Sequence, residues 1–434
     1  MIFFIGIKGA GMAALACMLS EMGERVEGSD LPTHFFTQAS LDAHNIPLHD
    51  LEFLPSEPAT IIIGNAFNEA FDAVMRARAN PQYRCFRYHE YLGQLTQRLS
   101  TIAITGSHGK TTTTKMMSAV MEAFTPTAYL IGDGHGHMPQ DATTLVIEAD
   151  EYRRFFHHYH PRYAIITNID YDHVDYYKDA DDYRSAYVGF IERVEQRVWV
   201  YGADSEVQKL PASPKLASYG IDGNYDLVAY DLVESPTETQ FNLRYFKKDL
   251  GRIRLPFSGR HLVWNALGCI GVALDQGLSL AGIERGLSKY TSAARRFIVD
   301  DQGANVYIDD YAHHPTEVNV TIDAARLRYP HHKLIAIFKP HRVSRLHHFL
   351  DAFAHALNQA DEVFLCEFGA IDDQEEGIDI DITHLQKRCQ SATVILEDDA
   401  AAAQLASRGP ACYLFMSSKD IYGLAEKLKR YQKS

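Results

Sequence analysis

The run Thr105-Gly106-Ser107-His108-Gly109-Lys110-Thr111-Thr112 puts two glycines, a lysine and several hydroxyls in an order suited to phosphate. Glycines let consecutive backbone N–H groups turn toward an anion, and a helix beginning there adds partial positive charge. Lys110 can reach β- and γ-phosphates as a point charge, and the Thr111 hydroxyl can hold Mg2+. The spacing is tighter than GxxxxGK[ST], so the pattern alone is irregular. Its context is not: a buried strand, Thr101–Thr105, runs straight into it and a helix follows. Nucleotide binding is therefore expected on Gly106, Ser107, His108, Gly109, Lys110, Thr111 and Thr112.

A second glycine turn opens the chain. Gly6-Ile7-Lys8-Gly9-Ala10-Gly11-Met12 spaces its glycines as GxxGxG after the apolar strand Ile2–Ile5. A dinucleotide site would want an acid about 20 residues on, and Asp30 stands there. The same loop would serve any diphosphate, a UDP-sugar included, and a plain turn is the competing reading. Two acidic segments also follow strands, Glu148-Ala149-Asp150-Glu151 and Thr167-Asn168-Ile169-Asp170-Tyr171-Asp172-His173. Residues just past the C-terminal ends of strands face the ligand crevice of an open α/β sheet, and hard carboxylate oxygens suit Mg2+. The histidines at 157, 158, 160, 331, 332, 347 and 348 read as surface residues.

These motifs need strands and helices to hold them. Strand, helix and strand alternate from Ile2 to Asn65, restart at Ser100 and restart again beyond Arg295-Arg296, which predicts parallel sheets with helical crossovers. Residues 223–256 alternate polar and apolar and predict antiparallel strands. With 434 residues the chain exceeds one ordinary core, and three α/β domains are expected, at 1–98, 99–294 and 295–434. Net charge is −14, which argues against general nucleic-acid binding, since phosphate contacts need Lys and Arg. The six cysteines are far apart, with no CxxC pair, as in a reducing compartment. The apolar start lacks the basic head of a signal peptide and is broken by glycines. No apolar run is long enough to span a bilayer. A cytoplasmic protein with no membrane partner is expected.

Taken in order, these motifs resemble the Mur ligases over essentially the whole chain. GIKGAGM, TGSHGKTTTT, EADE, TNIDYDHVDYY, Arg295-Arg296-Phe297, Asp309-Asp310-Tyr311-Ala312-His313-His314-Pro315-Thr316-Glu317, Phe338-Lys339-Pro340-His341-Arg342-Val343-Ser344-Arg345 and Phe415-Met416-Ser417-Ser418-Lys419-Asp420-Ile421 follow the family's sequence of motifs. The resemblance implies a Rossmann-like UDP-binding domain, a P-loop-type ATP-binding central domain and a Rossmann-like C-terminal domain that takes an amino acid. It implies ATP-dependent joining of L-alanine to the carboxylate of UDP-N-acetylmuramate, by way of an acyl phosphate. UDP-sugar contacts are implied for Gly9, Ala10, Gly11, Met12, Ser29, Asp30 and Asn65. Metal contacts are implied for Thr111, Glu148 and His173. Asn265, Arg296 and Asp310 match positions around the nucleotide. Tyr311, His313, His341 and Arg345 match the stretch facing the muramoyl group and the amine.

Two segments depart from the family's pattern. Leu262 stands where the family usually has an asparagine, and Ser417-Ser418-Lys419 replace a glycine-rich stretch. Both bear on which amino acid is accepted. A ligase adding a ready-made tripeptide, or a binding protein without turnover, are the alternatives.

Overall fold

Short β-branched and aromatic runs become buried strands, and the glycines between them become turns, in a computed structural model. It describes residues 1–235, 237–291, 296–368, 377–419 and 421–433. Arg295 and Asp420, both read as parts of motifs, lie outside the described residues.

The first sheet holds β1 (Ile2–Ile5), β2 (Val26–Asp30), β3 (Leu48–Asp50), β4 (Ala59–Ile63) and β5 (Tyr83–Arg87) in the order β3-β2-β1-β4-β5. All four pairings are parallel. The chain winds outward in opposite directions from β1 and from β4, so the loop after β1 opens at the switch point where such sheets bind ligands.

The second sheet has ten strands. They are β6 (Ser100–Thr105), β7 (Thr127–Leu130), β8 (Gly136–His137), β9 (Thr144–Glu148), β10 (Tyr163–Ile166), β11 (Arg197–Tyr201), β12 (Leu216–Ile221), β13 (Leu227–Glu234), β14 (Thr239–Tyr245) and β15 (Lys248–Leu255). Their order is β15-β14-β13-β12-β11-β10-β6-β9-β7-β8. The alternation read in residues 223–256 appears as the antiparallel run β13-β14-β15. Thr239, Phe241 and Leu243 are buried while Gln240 and Asn242 between them are not, the period of a strand with one wet face. Helices Lys110–Glu122 and Arg260–Asp275 cover the buried face with Met116, Val120, Val263 and Ile270. Each such side chain stabilises the fold by roughly 1.5–3 kcal/mol on burial. Trp199 lies in the same core, and its indole N–H donates to Asp275 at 2.8 Å.

The third sheet holds β16 (Ile298–Asp301), β17 (Val306–Asp310), β18 (Leu334–Phe338), β19 (Glu362–Cys366), β20 (Ala392–Ile395) and β21 (Cys412–Met416) in the order β16-β17-β21-β18-β19-β20. Only the β16–β17 pair is antiparallel.

Contacts group the chain into two compact units. One contains residues 1–171 and 179–291, with the first two sheets; the other contains residues 172–178 and 292–434, with the third. Inside the first unit, Glu21 accepts from the Met138 N–H at 2.6 Å and pairs with His137 at 2.9 Å. His89 stacks on Phe155 with ring centroids 4.2 Å apart. These contacts fasten the first sheet's layer to the second's. Among the described residues no helix is long and apolar enough to cross a membrane. All six cysteines are free thiols, five of them buried.

Candidate active site

The loop after β6 turns at Gly106 (φ 131°) and Gly109 (φ 80°), conformations that favour glycine. Helix Lys110–Glu122 starts directly behind it. Its run of four threonines is poor helix material, but Thr114 returns a hydrogen bond to the Lys110 carbonyl at 2.8 Å and Ser118 one to Thr114. The Lys110 ammonium folds back over the loop. It donates to the Gly106 carbonyl at 2.6 Å, the Ser107 carbonyl at 3.3 Å and the fully buried Glu151 at 3.0 Å. Burial alone would lower its pKa; Glu151, Glu148 and Asp150 reverse this and raise it. The lysine is therefore a fixed positive charge at the loop.

The acidic segment after β10 grips the same loop. The Thr167 hydroxyl and the Asn168 amide both donate to the His108 carbonyl, at 2.6 and 2.9 Å, and the His108 N–H donates to Asn168 Oδ1 at 3.0 Å. The Ser107 hydroxyl donates to the Asp170 carbonyl at 2.5 Å and accepts from the Asp170 N–H at 2.9 Å. His108 Nε2 pairs with the Asp170 carboxylate at 2.9 Å. From the facing helix Arg260–Asp275, Asn265 reaches Gly109 so closely that a Cβ there would sit 3.0 Å from its amide oxygen. Leu262, one turn earlier, packs against the apolar core instead.

Glu148 is the last residue of β9 rather than the first beyond it. Its Oε2 accepts from the Thr111 hydroxyl at 2.9 Å and from the Gly132 N–H at 3.0 Å. A Cβ on Gly132 would lie 2.3 Å from that oxygen, so a side chain there would displace the carboxylate. A hydroxyl and a carboxylate side by side at the loop form a hard oxygen donor set, which fits Mg2+.

At the first glycine loop, the two oxygens of Asp30 accept from the Lys8 and Leu31 N–H groups, both at 2.7 Å. Asp30 thus braces the loop through one oxygen and its own turn through the other. The Ser29 carbonyl accepts from the Gly6 and Ile7 N–H groups. Asn65, just past β4, meets His89 at 3.2 Å. Gly9 precedes helix Ala10–Glu21, whose first turn holds Ala10, Gly11 and the buried Met12. The Lys8 ammonium donates to the Leu31 and Thr33 carbonyls at 2.7 and 2.8 Å.

In the second unit, Asp310 ends β17 and is buried. It accepts from the Phe297 and Ala312 N–H groups at 2.8 Å and from the Thr321 hydroxyl at 3.2 Å. Burial pushes its pKa up to about 6 against the pull of Arg296. The Arg296 guanidinium lies over the Tyr311 ring, 4.8 Å from its centroid, and 3.6 Å from Glu317. Glu317 also accepts from the His313 N–H at 3.0 Å. Burial lowers the His313 pKa, with Glu317 opposing. Burial, Lys419 and the neighbouring cationic groups push His341 down to about 2, so its ring is neutral. His341 Nδ1 shares a 2.7 Å hydrogen bond with the Ser418 hydroxyl. Arg345 is committed to Asp172 through two hydrogen bonds of 3.0 and 3.1 Å, with both groups buried. That pair holds Asp172 well below the carboxylate range, overcoming the effect of burial. Arg342 pairs with Asp175 at 2.7 Å. His173 lies in this same segment, with φ 53° and its N–H on Asp172.

The sequence singled out no individual role for Glu151, Asn168, Gly132 or Lys8. Glu151, Asn168 and Lys8 sat inside quoted motifs, Glu151 among the carboxylates read as suited to Mg2+. Gly132 carries no motif, and its partner is sixteen residues away.

Family models match three consecutive stretches: a Mur ligase family catalytic domain at residues 1–99, a Mur ligase middle domain at 104–273 and a Mur ligase glutamate ligase domain at 295–418. A UDP-N-acetylmuramate–L-alanine ligase of Streptococcus equi subsp. zooepidemicus is 38% identical over 420 residues, covering 96% of this chain and 94% of that protein. One from Streptococcus mutans is 39% identical, covering 97% of this chain and 93% of that one. The crystal structure of the UDP-N-acetylmuramate-alanine ligase of Thermotoga maritima superposes with a TM-score of 0.81 at 26% identity, covering 100% of this chain and 99% of that one. A murein peptide ligase from Psychrobacter arcticus shares the fold, with a TM-score of 0.74 at 21% identity over 99% of this chain and 98% of its own. Full-length likeness and three matched domains agree with the loop chemistry: the chain belongs to the Mur ligase family.

Proposed function

We propose that this protein joins L-alanine to the carboxylate of UDP-N-acetylmuramate with ATP, a step in building peptidoglycan precursors. The observation that carries the reading is the loop at 106–112, where a lysine held charged by Glu151 adjoins a Thr111–Glu148 oxygen pair. The streptococcal relatives, similar over nearly their whole length, supply the substrate names. A reaction consuming ATP and a UDP-sugar fits a cytoplasmic protein.

A carboxylate is a poor acyl donor, because its leaving group would be oxide. A carboxylate oxygen attacks the γ-phosphorus, ADP leaves, and an acyl phosphate results. The amine of L-alanine then attacks the acyl carbon, phosphate departs and the nitrogen loses a proton. Backbone N–H groups of Gly106–Gly109 and the Lys110 ammonium would receive the phosphates and spread the charge of the transferred group. Thr111 and Glu148 would hold Mg2+, which supplies further charge neutralisation when bound. On the acceptor side, a neutral His341 steadied by Ser418 is suited to hydrogen-bond the incoming amino acid. His313 is assigned a supporting contact there, and Arg296 a contact with the nucleotide. Asp30 and Ser29 shape the UDP-sugar loop from behind, through Asp30's carboxylate and the Ser29 carbonyl.

The test is phosphate release with ATP, Mg2+ and UDP-N-acetylmuramate, offering L-alanine, glycine, L-serine or a muropeptide tripeptide. Release greatest with L-alanine is expected. Release only with the tripeptide moves the protein to wall recycling, and background release with all four removes the ligase reading.

A further inference from the structure

Among the described residues, the Tyr88 hydroxyl has no hydrogen-bond partner. Tyr88 is the first residue of helix Tyr88–Thr96, and the turn is set by the Arg87 N–H donating to Glu90 at 2.7 Å. From there its ring lies against Gly11, in the first turn of helix Ala10–Glu21. A Cβ on Gly11 would fall 2.6 Å from the phenol oxygen and 2.8 Å from the ring carbon bearing it. The glycine at 11 therefore makes room for this tyrosine. Gly11 lies where a diphosphate received by the loop would meet backbone N–H groups. Among the described residues the hydroxyl forms no hydrogen bond, although a half-buried Tyr O–H ordinarily finds one. Glu148, which ends β9, and Asp150 just beyond it are near enough to act on it. With burial as the larger cause, they hold the phenol above its usual pKa. The group is therefore a hydrogen-bond donor throughout the neutral range.

A UDP-sugar whose diphosphate rests on the first turn of helix Ala10–Glu21 must extend its sugar toward Glu148, where the phosphoryl group arrives. Tyr88 stands beside the start of that path. We propose that Tyr88 is a substrate-binding residue whose O–H donates to an oxygen of the UDP-sugar's diphosphate at the first turn of helix Ala10–Glu21. The assignment rests on the proposed UDP-sugar reading of the N-terminal loop.

Tyr88→Phe keeps the ring against Gly11 and removes only the donor. Titration calorimetry of wild type and variant with UDP-N-acetylmuramate, and separately with ADP, reads the effect. A hydrogen bond to a charged oxygen predicts about tenfold or more weaker UDP-N-acetylmuramate binding, ADP binding within twofold and an unchanged melting temperature. UDP-N-acetylmuramate binding within twofold of wild type overturns the assignment of Tyr88 alone. Absence of wild-type binding takes down the proposed substrate, and the assignment with it.

Discussion

The two strand–glycine loop–helix openings begin alike and are finished differently. The loop at 106–109 is braced by side chains from three other segments: Thr167, Asn168 and Asp170 after β10, Asn265 across the gap, and Glu151 beneath the lysine. The loop at 6–9 is braced mainly by Asp30 and the Ser29 carbonyl. Each carries a lysine, but Lys110 points its charge back over its own loop, while Lys8 spends its charge on the carbonyls of residues 31 and 33. A loop where charge is transferred needs a preorganised cation. A loop that only holds a diphosphate needs backbone N–H groups and a stiff frame.

If that division is right, the largest effect comes from Lys110→Ala. Turnover should fall by a factor on the order of 10²–10³ or more with the melting transition retained. Steady-state kinetics beside a thermal melt checks this, and wild-type turnover would end the comparison. Gly132→Ala should come next. The added methyl would strike the Glu148 carboxylate, whose displacement from Thr111 predicts a loss of roughly 10–100-fold in kcat, since small misplacements at a reacting centre are costly. Thr111→Ala, which removes only the hydroxyl, serves as its mate. A large loss for Thr111→Ala with none for Gly132→Ala would show that the position of Glu148 is unimportant.

Titration offers a control that leaves both loops alone. Asp310, in the second unit, is pushed up to about 6 by burial, above its value in the unfolded chain, about 3.9. Between those values the folded state binds more protons than the unfolded one, so this residue makes stability fall as pH rises from about 4 to about 6. Asp310→Asn should remove that fall from the pH dependence of the melting temperature over that window. Melting curves at half-unit pH steps decide it.

How legible this was depended on sequence separation. The loop at 105–112, the strands β1 and β6 and the antiparallel run β13–β15 could be read because their signals are local: glycine spacing, apolar runs, alternation. Contacts across long separations leave no such trace. The buried pair of Arg345 with Asp172, which places 172–178 in the second unit, joins residues 173 positions apart. Arg345 read as a residue facing substrate, and its guanidinium is also bonded to the Asp172 carboxylate. Asp30 read as a ribose ligand from its distance to the loop, and the fold uses both its oxygens on backbone N–H groups. In each case charge and position were visible, and the partner was not.

Lys8→Met should give the smallest effect, and it tests the other half of the comparison. Lys8 is buried, and its ammonium ties residues 31–33 to the glycine loop with two hydrogen bonds. Methionine keeps much of the apolar stem and removes the donors. Because a hydrogen bond from a charged group contributes about 1.5–3 kcal/mol, some loss of melting temperature is expected. If Lys8 only frames the UDP-sugar loop, its loss should raise the KM for UDP-N-acetylmuramate about three- to fivefold and leave kcat and the KM for ATP within about twofold. A fall in kcat as large as that of Lys110→Ala would mean that the first loop, too, stabilises charge in the transition state, and the division of labour between the two loops would have to be given up.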